Sequence, residues 1–349
     1  MINLSHFLLV FLLLTFRPVL SQPSDPTARE KDSTPVIPSL KIGALFQTMG
    51  EWSSQSGTTS NGLYVSNMRL KLTGEPIGGV GYFLLTNFVK SYSLLDAYVW
   101  YQSPAGFRVD AGQFRAPYSA EYTIIAGEIE FTERSFVSDR LSPGRQTGLM
   151  FTWRTAGREA RVRGGVFNGN GIGSGLKNDN RDFLYVARLE WYPVPRQAGW
   201  SLTEPITEFG LNAARSSDQS VRLAGAPDQQ ELAAFSGIRT LLGGDFRHQK
   251  GDWLLSGEYT RLIADRRELS TIRVDGFHLT GGYLLHPDLQ FLLRVQSISH
   301  DGYGNRLSEW VTGLNWFPSP ITKCQLNVAW REEETGAAAR VTAKWQVMF

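Results

Sequence analysis

The feature that most constrains this chain is a period of two. In residues 338–349, Ala339, Val341, Ala343, Trp345, Val347 and Phe349 alternate with Arg340, Thr342, Lys344 and Gln346. Successive side chains of an extended strand point to opposite faces, so this pattern predicts a strand with one apolar and one polar side. Leu289, Phe291, Leu293 and Val295 alternate in the same way with Gln290, Leu292, Arg294 and Gln296. Phe183, Tyr185, Ala187, Leu189 and Trp191 interleave with Leu184, Val186, Arg188 and Glu190, and Cys324, Leu326, Val328 and Trp330 with Lys323, Gln325 and Asn327. A sustained helical stripe is found nowhere, so the class is all-β.

About sixteen such segments can be placed, at 39–50, 61–73, 80–88, 92–102, 107–115, 145–154, 159–167, 181–192, 205–215, 236–248, 252–262, 273–284, 289–299, 306–316, 322–331 and 338–349. The connectors tend to alternate in length. Short joins rich in Gly and Pro, such as Ser103-Pro104-Ala105-Gly106, His286-Pro287-Asp288 and Phe317-Pro318-Ser319-Pro320, follow segments two, four, six, ten, twelve and fourteen. Longer polar connectors intervene at 116–144, 168–180, 216–235 and 263–272, with exceptions near 89–91 and at 193–204. Tight turns at one end and long loops at the other characterise an even-stranded outer-membrane barrel. Hydrocarbon cannot satisfy free backbone groups, so a sheet that crosses a bilayer must close on itself. The expected fold is a 16-stranded antiparallel transmembrane β-barrel with short periplasmic turns, long outer loops and polar side chains turned inward.

Aromatic placement agrees with this expectation. With the first strand running outward, Trp100, Tyr101, Trp191, Tyr192, Tyr283, Trp316 and Phe349 end inward-running strands, while Trp253 and Phe291 begin outward-running ones. All fall at one rim, where a membrane girdle of Trp and Tyr belongs. A terminal Phe349, with Trp345 and Val347 on its face, also suits recognition by barrel-assembly machinery.

Ahead of the strands lies an apolar run from Phe7 to Phe16, too short to span a bilayer as a helix and placed where a signal peptide has its core. Residues 1–21 are read as a signal peptide, 22–38 as a flexible leader and 39–349 as the barrel. Charged residues make up 19% of the chain, too many for a bundle of membrane helices. The formal net charge of +2 points to no nucleic-acid partner. Of the 35 basic residues, 27 are Arg and 8 are Lys, and the planar arginine fork suits phosphate and carboxylate. Cys324 is the only cysteine, which excludes an internal disulfide and a cysteine metal site.

Residues 92–148 carry more specific signatures: Leu95-Asp96-Ala97-Tyr98-Val99, then Ala111-Gly112-Gln113-Phe114-Arg115-Ala116-Pro117-Tyr118-Ser119-Ala120-Glu121, then Phe131-Thr132-Glu133-Arg134-Ser135 and Arg145-Gln146-Thr147-Gly148. Together with Gly165-Val166-Phe167-Asn168-Gly169, Asn178-Asp179, Gly281-Gly282-Tyr283 and Asn315-Trp316-Phe317-Pro318, they resemble the phosphate-selective porin O and P family over nearly the whole chain after the leader. The resemblance implies a sixteen-stranded, generally trimeric outer-membrane barrel whose third outer loop folds into the lumen, with basic side chains leading anions through and no cofactor. Here that loop is 116–144. Arg134 and Arg145 match the family's loop and loop-exit arginines. The family's phosphate carriers are rich in lysine along the pore, from which this chain departs. Glu121, Glu128, Glu130 and Glu133 also stand in the loop and oppose anion passage unless paired.

Strand parity assigns to the lumen Arg69, Lys71, Arg108, Arg161, Arg163, Arg188, Arg239, Arg294, Lys323, Arg340 and Lys344, which with Arg134, Arg140 and Arg145 form the candidate anion track. A conducting pore binds weakly at several sites, so a row of arginines serves it better than one tight pocket. Parity also turns Asp110, Glu159, Glu190, Asp245 and Glu258 inward, where they can cancel the arginines, and Glu121 or Glu133 can pin Arg134 and Arg140. The sequence therefore predicts a passive outer-membrane porin for small anions, with phosphate or polyphosphate implied by the family. The alternatives are a non-selective porin and a barrel or β-rich binding or adhesion protein. Enzymatic readings find little: the histidines lack metal spacing, and no Gly-x-Ser-x-Gly elbow is present. Glu128 and Glu130 could imitate a glycosidase pair but stand two residues apart in a loop, as solvated or loop-pinning carboxylates do, and a His/Ser/Asp set could be drawn from His248, Ser256 or Asp245. The glycines at 169, 171, 173 and 175 alternate as a flexible loop does.

Overall fold

The computed structural model describes residues 40–349 apart from 56–57, 90–92, 173–176, 179, 195–201, 222–234, 267–270, 302–305 and 334–335. The signal peptide and leader, Asp179 and the glycines at 173 and 175 lie outside the described residues. Strands β1 (Lys41–Gln55), β2 (Thr58–Ile77), β3 (Val80–Asn87), β4 (Leu94–Gln102), β5 (Phe107–Arg115), β6 (Arg145–Arg154), β7 (Ala160–Phe167) and β8 (Leu184–Val194) form the first half of the sheet. The second half comprises β9 (Ile206–Val221), β10 (Phe235–Lys250), β11 (Trp253–Arg266), β12 (Ile272–His286), β13 (Leu289–His300), β14 (Arg306–Ser319), β15 (Thr322–Glu333) and β16 (Gly336–Met348). Each strand pairs antiparallel with its neighbours in sequence, and β1 pairs with β16 to close the barrel. At the seam the Ala44 N–H donates to the Phe349 carbonyl at 2.8 Å, and the Phe349 N–H returns the bond at 3.1 Å.

The outer wall follows the alternation. Phe46, Leu189, Leu211, Phe277, Leu293, Leu326, Val328 and Trp345 all stand exposed, as side chains facing hydrocarbon must. Tyr101, Trp191, Trp253, Phe291, Trp316 and Phe349 are exposed at the expected rim, and Trp253 packs on Tyr283 with ring centroids 4.6 Å apart. Trp100 and Tyr192 do not join this girdle. Trp100 lies beneath the Arg108 guanidinium and Tyr192 beside Arg161. Adjacent residues of a strand face opposite sides, so only one of Trp100 and Tyr101, and one of Trp191 and Tyr192, can point to lipid.

Three expected loops are shorter than their polar sequences suggested. Much of 51–60 belongs to β1 and β2, 216–221 to β9 and 263–266 to β11. The connector 116–144 keeps its expected bounds and holds two short helices, α1 (Ala120–Thr123) and α2 (Phe136–Leu141).

The inner wall differs from expectation along one arc. Leu184, Val186, Leu241, Leu262, Val274 and Ile298 point inward yet are apolar and buried, packed with Phe136, Val137 and Leu141 of the 116–144 loop. A polar lining is needed only where water fills the lumen, and here the loop fills it. Gly276 makes this close approach possible, since a Cβ there would meet Leu141 Cδ1 at 2.5 Å and Val137 Cγ1 at 2.9 Å.

Candidate pore constriction

The 116–144 loop leaves β5 and returns to β6 through a closed neck, where the Ala116 N–H donates to the Gly144 carbonyl at 2.9 Å. Between these points its backbone is bound to the inner faces of β14, β15 and β16. Asn315 and Gln325 donate to the Glu130 carbonyl at 2.7 and 2.8 Å, and Gln346 donates to the Gly127 carbonyl at 2.9 Å. Lys323 Nζ donates to the Ile129 carbonyl at 2.9 Å and Lys344 Nζ to the Thr132 carbonyl at 2.5 Å. The Thr132 N–H donates to Asn327 at 2.9 Å. Loop carbonyls out of reach of water must find donors, and the wall provides them.

Glu121 is the hub of this attachment. Ser119 caps α1 by accepting the Tyr122 N–H at 2.9 Å and donates its own hydroxyl to Glu258 at 2.6 Å. The Glu121 carboxylate receives the hydroxyls of Ser135 and Ser138 at 2.6 Å each, the Ser135 N–H at 3.0 Å and Arg294 Nη2 at 2.6 Å. Arg294 stacks over Phe131, with 4.1 Å to the ring centroid. Glu130 forms a second ion pair with Arg247, and Glu133 a third with Arg340 at 2.7 Å. Burial alone would raise the Glu121 carboxyl, but the Arg294 guanidinium and the serine hydroxyls hold it down at about 2.

A carboxyl held low stabilises the folded state fully above the ordinary carboxylate range, and loses that contribution as pH falls through its own value. The Glu121 latch is therefore expected to stay intact from neutral pH down to about pH 4 and to release as pH approaches about 2. Single-channel recordings at stepped pH check this. Unchanged conductance down to about pH 4 with noisier current below is the expected outcome, and a transition near neutral pH would refute it.

With the loop held against β14–β16, a cavity of about 340 Å³ remains between Thr123, Ile125, Ala126 and Gly127 and the inner faces of β1–β5. The charged side chains of its lining are Arg69, Lys71, Arg115 and Arg163 against Asp96. Arg115 Nη1 donates to the Thr123 and Ile124 carbonyls at 3.0 and 2.8 Å, and Arg134 Nη2 to the Ile124 carbonyl at 2.5 Å. Both guanidiniums lie over the Tyr122 ring, at 5.9 and 5.5 Å. Arg69 is held by Asn67 Oδ1 at 2.7 and 3.0 Å. Arg145 forks onto Asp96 at 2.9 and 3.1 Å, and Arg145 and Arg134 are near enough to act electrostatically on Arg69 and Arg115. Like charges are thus gathered around one cavity: Arg69, Arg115 and Arg134 are fixed by amide and carbonyl oxygens that leave their charge uncancelled, while Arg145 is paired with Asp96.

The candidate track therefore divides. Arg69, Lys71 and, in part, Arg163 line the cavity, and Arg134 and Arg145 sit behind its lining on the Ile124 carbonyl and Asp96. Arg294, Lys323 and Lys344 do point inward, as parity required, but they lie beneath the loop and hold it instead of facing an open lumen. Arg340 is paired with Glu133. Arg108 is paired with Asp110 at 2.5 Å, and Arg140 lies over Phe136. Arg161 and Arg163 share Glu190 at 2.5 and 2.8 Å, while Arg188 binds Asp245 at 2.5 Å and Arg239 binds Asp218 at 2.9 Å. The proposed pinning also runs through other partners: Glu121 takes Arg294 and Glu133 takes Arg340, whereas Arg134 donates to loop carbonyls.

Sequence reasoning did not single out Arg115, Asp96 or Arg247. Arg247 shares the parity of Asp245 and could have been found that way. Arg115 is the last residue of β5 and has the opposite parity to the inward Arg108 and Asp110, so parity fails to locate it. His248 is exposed on the outer side of β10 and Asp245 is buried on the inner side, so the hydrolase set is split across the wall. Glu130 is tied up with Arg247, and Glu128 lines a separate cavity of about 190 Å³ beside Arg161 and Glu190.

A family model described as phosphate-selective porin O and P matches residues 51–349. Among solved structures, an anion-selective porin from Comamonas acidovorans superposes with a TM-score of 0.66 at 13% identity, covering 89% of this chain and 100% of that one. OmpT of Vibrio cholerae, in its trimer form, gives 0.63 at 8% identity over 89% and 99% of the two chains. The outer membrane channel DcaP of Acinetobacter baumannii gives 0.59 at 13% identity over 89% and 97%. At these identities the likeness is one of fold. No curated protein sequence matches the chain.

Proposed function

The chain belongs to the phosphate-selective porin O and P family, a family of transport channels, and on that premise we propose that it forms a passive outer-membrane pathway for small anions. The observation that carries this reading is the lining of one cavity by Arg69, Lys71 and Arg115, with Arg134 beside it on the Ile124 carbonyl and Asp96 already engaged by Arg145. An anion that sheds part of its hydration there meets several weak cationic contacts in succession, which favours its presence without trapping it. Inorganic phosphate and polyphosphate fall within this reading through the family's name. In the same reading the protein is a homotrimer in outer-membrane lipid, inserted by barrel-assembly machinery.

The paired charges on β7–β10 favour a second reading, a non-selective porin, because Arg161, Arg163 and Arg188 are answered by Glu190 and Asp245. Reconstituting the protein in planar bilayers under a KCl gradient separates the two. The reversal potential is expected to show chloride favoured over potassium by at least about threefold at moderate salt. Equal permeability would leave the non-selective reading, and absence of conductance would reject transport.

A further inference from the structure

One stretch of the inner wall is apolar although it borders the open cavity. On β3, β4 and β5 the cavity is lined by Phe83, Leu85, Tyr98 and Phe114. The Phe83 and Tyr98 rings stack with centroids 5.2 Å apart at 22°, and Tyr98 meets Phe114 edge-on at 5.3 Å. On β8 and β10–β13 the inward apolar residues are covered by Phe136, Val137 and Leu141 of the loop, and Phe114 and Tyr98 form the border of that cluster. Here Phe83, Leu85 and Tyr98 remain half-buried beside open space.

The cations adjoin this strip. Residues directly opposite on antiparallel strands share a face, and Lys71 stands opposite Leu85 and Thr73 opposite Phe83, while Phe83 stands opposite Tyr98. The cationic strip of β2 and the apolar strip of β3–β5 are therefore neighbours facing one cavity of about 340 Å³, within the range of roughly 300–1,000 Å³ typical of small-molecule sites. A hydrated inorganic ion gains nothing from the aromatic strip. A solute with an anionic head and an apolar ring can set the head on the arginines and the ring on Phe83 and Tyr98, burying apolar surface as it does so.

We infer that this channel favours organic anions with an aromatic body, such as aromatic carboxylates, over inorganic phosphate and small aliphatic acids. The inference rests on the anion-channel reading and deepens it. Its test uses the full-length channel in planar bilayers carrying chloride current, with benzoate, acetate or inorganic phosphate added. Benzoate is expected to halve the current at a concentration at least about tenfold below that of acetate, because the two share a head and differ by the ring. Inorganic phosphate is expected to require more than benzoate as well. A second measurement repeats the comparison on Leu85→Thr, a substitution suited to a strand, for which the acetate-to-benzoate ratio is expected to fall several-fold. Equal half-blocking concentrations of benzoate and acetate in the unaltered channel would overturn the inference while leaving chloride preference standing. Loss of chloride preference with the benzoate advantage retained would refute the charge reading alone.

Discussion

Arg69→Glu is expected to lower the chloride-to-potassium permeability ratio at least about tenfold and to bring the channel to neutrality or cation preference. At about 6 Å and an effective dielectric near 40, a unit charge changes the energy of a passing ion by about 1.4 kcal/mol, or a factor of ten. Reversal removes one favourable charge and adds one unfavourable one, and salt screening reduces the combined effect to roughly that single factor. The introduced carboxylate would also neutralise part of the field of Arg115, Arg134 and Arg145. Arg69→Gln, which only removes the charge, should give about half the shift in reversal potential. If both variants keep the parent value, the cavity is not on the conduction path.

Glu121→Ala is expected to free the constriction loop. Arg294, whose side chain is 3% exposed, would lose its carboxylate, and the Ser135 and Ser138 hydroxyls would lose their common acceptor. Breaking a buried pair in this way costs about 3–5 kcal/mol. The cost falls on the loop, because the strand ladders make no use of Glu121. Mean conductance should rise and the open-channel current should flicker, while the folded barrel still migrates faster on unboiled than on boiled SDS gels. A quiet channel of parental conductance would show that the contacts at Glu130, Lys323 and Lys344 hold the loop unaided.

What could be read from the chain, and what could not, follows from where the apolar face is required. β16 and β13 were legible because lipid demands an apolar residue at every second position there. The outer ends of β1 and β2 were not, because Ser53, Ser54, Gln55, Thr58, Thr59, Ser60 and Asn61 show no alternation although they pair across the hairpin. A ladder beyond the hydrocarbon needs hydrogen bonds only. The same logic explains the site. Parity correctly turned Arg294, Lys323 and Lys344 inward, but it cannot distinguish a lumen filled by water from one filled by 116–144. Asp96 and Arg145, and Glu121 and Arg294, meet through tertiary contacts between distant stretches, and no local pattern marks such pairs. The loop bounds were legible because 116–144 breaks the period of two at both ends.

The seam between β1 and β16 joins residues 45–55 to residues 338–348, which lie at opposite ends of the strand order. Until those two stretches meet, the sheet has two raw edges, each a row of unsatisfied donors and acceptors inviting a foreign strand. Assembly is thus all-or-none with respect to synthesis: a chain lacking its final strand is an open ribbon prone to misassociation, not a smaller cylinder.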